Sequence, residues 1–160
     1  MTIDPAVVAD PDRYMRLAIE AALAAEAEGD LPIGAVAVLD GNVIATAGNR
    51  RAVDRDPTAH AEILALRQAA EVIGEWRLTD VTIVVTLEPC PMCAGAMWAS
   101  RIGGVVFGAV DMKAGATGSL YHLGSDPRLN HEFPTRAGVL GAECADLLTR
   151  FFATRRGAEI

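Results

Sequence analysis

Val81-Thr82-Ile83-Val84-Val85-Thr86-Leu87-Glu88-Pro89-Cys90-Pro91-Met92-Cys93 is a β-branched, apolar run that stops at two cysteines set among prolines. Val81 to Leu87 has the character of a strand buried on both faces, and Pro89 or Pro91 suits the first position of the helix that follows, where a missing N–H costs nothing. Cys90 and Cys93 therefore flank a helix start. A buried strand feeding straight into a helix is the unit from which α/β layers are built.

Upstream lies a second stretch with chemistry in it, Pro57-Thr58-Ala59-His60-Ala61-Glu62. The spacing predicts a helix over Thr58 to Ile73, with Thr58 as its N-cap and Ile63, Leu66, Ala69, Ala70 and Ile73 on one face. His60 then falls in the first turn. Two helix N-termini pointing at one place favour thiolate and hydroxide through their positive dipole ends. His60, Cys90 and Cys93 are a set of zinc ligands with one position left open, the arrangement of a catalytic centre, whereas a structural site closes all four. Glu62, two residues from His60, suits a group that reaches a water on the metal but does not bind the metal itself.

Working outward, Asp10-Pro11-Asp12 starts a helix in which Tyr14, Leu17, Ala18, Ala21 and Ala25 recur at helical spacing, and Gly29-Asp30 ends it. Ile33 to Leu39 and Val43 to Ala47 form an antiparallel pair around the two-residue turn Asp40-Gly41. Asn49 closes the far end of that pair, where a loop can lie beside the pocket. Met92 to Ala99 is apolar on nearly every side and must be covered on both faces, by the sheet and by either a partner subunit or a loop or further helix of the same chain. Gly104 to Ala109 is the next strand, Asp111 to Asn130 an irregular excursion, Gly138 to Leu140 a short fifth strand and Cys144 to Arg155 the last helix. Cys144 sits among Leu140, Leu147 and Leu148 as a small core residue.

A chain of 160 residues fits one domain over 1–160 and has enough length to bury most of its apolar surface. Apolar residues make up 51%, yet no run approaches the ~18 residues of a membrane span. The start Met1-Thr2-Ile3-Asp4-Pro5 lacks a basic and apolar leader, so a cytoplasmic, reducing setting is expected, in which an odd cysteine count with one CxxC favours metal over disulfides. Of the net charge of −7, residues 1–40 carry −6, eight acids against Arg13 and Arg16, and the remainder is nearly neutral. Arg150, Arg155 and Arg156 offer a local positive field near the end of the chain.

Pro32-Ile33-Gly34-Ala35, Asp56 to Ile63, Thr86 to Cys90, Met92 to Met97 and Gly115 to Leu120, with Ser100-Arg101-Ile102, Val105 to Ala109, Asn130-His131 and Phe151-Phe152, resemble the bacterial tRNA-specific adenosine deaminases of the zinc-dependent cytidine deaminase superfamily. The resemblance runs from about Arg13 to Arg156; the acidic N-terminal segment departs from it. It implies an α/β, three-layer cytidine-deaminase-like fold, a five-stranded mixed sheet with helices on both faces, acting as a homodimer. It implies one Zn2+ per subunit and conversion of the wobble adenosine in the anticodon stem-loop of an arginine tRNA to inosine. Zinc would lower the pKa of its water from about 15.7 to about 7, and hydroxide would attack C6 with Glu62 as proton shuttle. The implied substrate contacts are Asn49 on the base, Pro32, Ile33, Ala59 and Leu87 around it, Asp111, Asn130 and His131 at the rim, and Phe152, Arg155 and Arg156 on the last helix. A free guanine or cytosine deaminase with the same zinc site is the alternative, and a noncatalytic zinc-stabilised RNA module a third reading. Glu62 counts against the module; Phe151-Phe152 and the terminal arginines, suited to stacking and phosphate contact, count against the free base.

Overall fold

Alternate residues of three central strands feed two separate apolar clusters, and this fixes the layering. The computed structural model describes residues 2–158, with side chains as far as Arg155. Its elements are α1 (Pro5–Ala9), α2 (Pro11–Ala27), β1 (Gly34–Leu39), β2 (Asn42–Gly48), α3 (Ala61–Ile73), β3 (Thr82–Leu87), α4 (Pro91–Ala99), β4 (Gly104–Ala109), β5 (Thr135–Arg136) and α5 (Gly141–Ala158). On one side Ala35, Ala37, Ile83, Val85, Val105 and Phe107 meet Ala65, Leu66 and Ala69 of α3 and Met97 of α4. On the other, Val36, Val38, Val84 and Val106 meet Val7, Tyr14, Met15 and Ala18 of α1 and α2 and Cys144 of α5. Period-two alternation with both faces apolar leaves each strand no solvent side, as expected for Val81 to Leu87.

The sheet order is β2-β1-β3-β4-β5. β1 pairs antiparallel with β2 and β3, whereas β3, β4 and β5 are parallel, so the sheet is the five-stranded mixed one expected. Asp40 and Gly41 both take positive φ, 50° and 76°, which matches the twist of the flanking strands and fixes the register Leu39↔Asn42. Among the described residues no helix is long and apolar enough to cross a membrane.

Three local expectations are corrected, and one helix went unread. Helix α3 starts at Ala61, three residues later than expected, because the Thr58 hydroxyl donates to Asp56 Oδ1 at 2.8 Å and does not cap the helix; His60 is the N-cap. The fifth strand is Thr135–Arg136, not Gly138 to Leu140: Gly138 and Leu140 have φ of 84° and 50°, and Val139 turns into the core between them. The last helix begins at Gly141, ahead of Cys144. Helix α1, too short to show periodicity, is held by Asp4, whose carboxylate accepts from Ala6 N at 2.9 Å and Gly41 N at 3.0 Å.

Helix α2 lies tight on the first strand at Gly34, where an added Cβ would overlap the Ala18 carbonyl oxygen and the Ala22 nitrogen. Gly34→Ala must push helix and strand apart. We expect it to destabilise the fold by about 1–3 kcal/mol or more; a urea midpoint equal to that of the parent chain would contradict this packing.

Candidate active site

The geometry of β3 and its two neighbouring helices brings the chemical residues together. His60 precedes α3 with extended backbone (φ −75°, ψ 151°), and Cys90 precedes α4 in the same way (φ −74°, ψ 173°). Both are N-caps without a side-chain capping bond, and the two side chains point at each other. His60 Nδ1 lies 3.7 Å from Cys90 Sγ and 3.5 Å from Cys93 Sγ, the second cysteine reaching in from the first turn of α4. All three donor atoms fall within 4.8 Å of one another.

These distances test the fit of a metal. Zn–S of about 2.3 Å and Zn–N of about 2.0 Å at tetrahedral angles give N···S edges of about 3.5 Å. The observed edges agree. Two sulfurs and an imidazole crowded this closely compete for protons: the bond from Cys93 holds the Cys90 thiol down at about 4, while Cys93 is pushed up by that same bond and by burial. His60 is raised by its bond to Cys90. A cation at the common point replaces the shared protons and satisfies all three donors, so the residues present fit zinc.

Glu62 enters from the first turn of α3 and is 4% exposed. Its burial raises its pKa, disfavouring the charged form. It is the acid expected beside the metal.

Around this centre the other residues implied by the resemblance divide into groups. Asn49 N donates to Ile33 O at 2.9 Å and Arg50 N to Ala59 O at 3.0 Å, which seats Asn49 against the residue before His60. Ile33, Leu87, Asp111 and Phe152, with Leu31, Met112 and Lys113, line one cavity of about 540 Å³. A neighbouring cavity shares Leu31 and Phe152 with it and adds Arg51, Phe151 and Arg155. Arg155 is steadied there, its guanidinium 4.6 Å from the Phe151 ring centre and 3.3 Å from the Gly29 oxygen. Pro32 is buried beside them, and the Arg156 side chain lies outside the described residues. Asn130 is exposed and neither it nor His131 lines this cavity. His131 corrects the expected rim contact: its ring is buried, bonds the Ile102 carbonyl at 3.0 Å and leans on Phe133.

Two residues that sequence reasoning did not single out organise the surroundings. The buried Glu88 carboxylate accepts from Asp111 N at 3.2 Å, Thr117 N at 3.2 Å, Ser119 N at 3.0 Å and the Ser119 hydroxyl, tying the excursion to the turn that carries Cys90. Gly115 passes so near this carboxylate that a Cβ would overlap it. Asp30 does the same for Asn49 and the loop after it. An acid between a buried strand and Pro89 was the available signal for Glu88; Asp30 read only as part of a helix stop.

A mixed sheet with two helices delivering one histidine, two cysteines and a buried glutamate to a single point defines a zinc-dependent deaminase. Residues 9–109 match the model of the cytidine and deoxycytidylate deaminase zinc-binding region, and the chain belongs to that family. It is 48% identical over 143 residues to the tRNA-specific adenosine deaminase of Bacillus subtilis, covering 89% of each chain. Among solved structures it resembles a tRNA:A34 deaminase from work on A-to-I editing at the wobble position of transfer RNA, with a TM-score of 0.82, 43% identity and coverage of 85% of this chain and 99% of that one. The guanine deaminase of Bacillus subtilis is more distant, with a TM-score of 0.60, 31% identity and coverage of 68% and 80%.

Metal analysis of the purified chain should find one zinc, and Cys90→Ala with Cys93→Ala together should reduce it to background. Full occupancy in that double variant would place the metal elsewhere.

Proposed function

We propose that this chain converts the wobble adenosine of an arginine tRNA to inosine, working in the cytoplasm, where thiols stay reduced. The observation that carries the reading is Glu62, a buried carboxyl two residues from one member of the His60, Cys90 and Cys93 cluster. A zinc held by His60, Cys90 and Cys93 supplies, when bound, a water acidic enough to ionise near neutral pH. Glu62 takes the proton released there, passes it to ring N1 of the adenine and carries a proton to the amino group, which leaves as ammonia while oxygen remains on C6. One carboxyl acts as base and then as acid, and its burial favours the protonated state between the two transfers.

RNA suits the surroundings better than a free base. An anticodon loop presents its nucleotides already unpaired, which lowers the cost of placing one base in a pocket. Leu31, Ile33, Leu87 and Phe152 offer apolar and stacking surface beside Asp111, while Lys113, Arg51 and Arg155 border the two joined cavities. The exposed acids Asp12, Glu20 and Glu26 belong to α2, in the helical layer opposite α3 and α4. Helix α5, with Phe152 and Arg155, lies in that same layer, so the acids of α2 share a side with part of the proposed binding surface. Glu28 is the nearer one, and it is paired with Arg50 at 2.7 Å.

We also propose a homodimer through the outer side of α4. Met92, Gly95, Ala96 and Ala99 of that helix remain partly or fully exposed. Ala96 and Ala99 share an apolar groove of about 420 Å³ with Ile63, Leu66, Ala70, Leu78 and the half-exposed Trp76. An apolar patch of this kind is normal for an interface and unusual for a free surface.

Incubating the zinc-loaded chain with arginine tRNA should yield inosine at the wobble position by mass spectrometry. Glu62→Gln should keep its zinc and lose roughly 10²- to 10⁴-fold in turnover. Efficient release of ammonia from free guanine or cytosine, with arginine tRNA left unchanged, would hand the site to the alternative activity. Light scattering at micromolar concentration should give about twice the chain mass, and a monomer there would remove the proposed interface.

A further inference from the structure

Asp30 follows the last turn of α2 and is 2% exposed, yet it serves no part of the metal centre. Its Oδ1 accepts from Leu31 N at 2.9 Å and from Asn49 Nδ2 at 2.7 Å. Its Oδ2 accepts from Ala52 N at 2.8 Å and from Val53 N at 3.0 Å. Burial by itself would raise its pKa, but the bonds from Val53, Asn49, Leu31 and Ala52 outweigh that and leave it below the ordinary carboxylate value. The group is therefore a fixed, ionised acceptor, and every neighbour must offer it a donor.

This requirement falls on Asn49, which is 3% exposed. A side-chain amide has a donor end and an acceptor end of nearly the same shape, and its surroundings decide which way it points. Here the decision is made by Asp30: the nitrogen must face the carboxylate, so the oxygen faces away. The main chain on either side is already fixed, by Asn49 N to Ile33 O and by Arg50 N to Ala59 O, one residue from His60. Only the sense of the amide is left for Asp30 to set.

We infer that Asp30 is a positioning residue for substrate choice, holding the Asn49 amide in the one orientation that suits the base; this rests on the proposed contact between Asn49 and that base. With one N–H committed to Asp30, Asn49 offers an acceptor and a single donor. That pair complements a purine edge bearing an amino group beside a ring-nitrogen acceptor, as N6 and N7 of adenine do. A 6-oxopurine meets the same amide oxygen with its own carbonyl oxygen, acceptor against acceptor. Asp30→Asn puts an amide where four donors require an acceptor and frees Asn49 to turn over.

The test is a double-mutant cycle on the zinc-loaded chain with arginine tRNA, reading kcat/KM for inosine formation. Asp30→Asn should lower it about 10- to 100-fold, a loss of the size that outer-shell partners of metal ligands show when they are removed. In an Asn49→Ala background the same change should cost less than about threefold. Equal losses in both backgrounds, or no loss in the parent, overturn the inference while leaving the deaminase reading intact. Absence of inosine with the parent chain overturns both. Should Asp30→Asn not fold, the parent answers alone: the Asn49 side-chain amide protons should exchange with water far more slowly than those of the exposed Asn130, and equal rates would show that Asp30 does not hold the amide.

Discussion

The structure depends on two helices beginning at one point. Helix α3 has 13 residues and β3 has six, and both span about 20 Å, so a helix that returns the chain to the start of β3 itself begins near the end of that strand. Helix α4 starts there as well. Each N-terminus carries roughly half a positive charge from unpaired N–H groups, and together they make a site for anionic sulfur and oxygen before any metal arrives. His60 and Cys90 stand at the two N-cap positions, where Ser, Thr, Asp or Asn would each stabilise the helix by about 0.5–2 kcal/mol. Neither makes a capping bond, so the chain forgoes that stability at both helices and keeps both side chains for the metal.

Three buried carboxyls near this point are treated in three ways, and the difference decides what each does. Asp30 has four donors from nearby backbone and Asn49, so it is a stable anion and a support. Glu88 is filled by the backbone and hydroxyl of the excursion. For Glu62 desolvation dominates and its pKa rises. A carboxyl whose protonated and ionised forms are brought closer in energy can transfer protons; one saturated with donors cannot.

The metal set was legible in the sequence because its signal is local: His60 and Glu62 are two apart, Cys90 and Cys93 three apart, and each pair stands where a helix begins. The buried strands were legible because both of their faces are apolar. β5 was not, since Thr135 and Arg136 are exposed and only two residues long, whereas the apolar Val139 nearby is spent in a turn with positive φ on both sides. Thr58 misled because a hydroxyl three residues before a helical run looks like a cap, and only the competing bond to Asp56 shows otherwise. Asp30 and Glu88 were not read as supports, because their partners are mostly backbone N–H groups distant in the chain, and such partners leave no trace in residue type; only the place of Glu88 before Pro89 pointed to it. His131 was read from resemblance alone, and its burial is a property of packing against Ile102 and Phe133.

The clamp on Glu88 has a consequence for how such a protein can change. The excursion and the cysteine turn share one anchor, with Ala116 N also bonded to Pro89 O at 2.8 Å. Surface loops can usually be lengthened or exchanged at small cost because nothing essential leans on them. Here a transplanted loop lacking the Gly115 approach or the Ser119 hydroxyl would leave a buried carboxyl short of donors one residue from Pro89 and two from Cys90. The shape of the excursion and the geometry of the cysteine turn are thus inherited together, and a lineage that alters the first must re-satisfy Glu88 to keep the second.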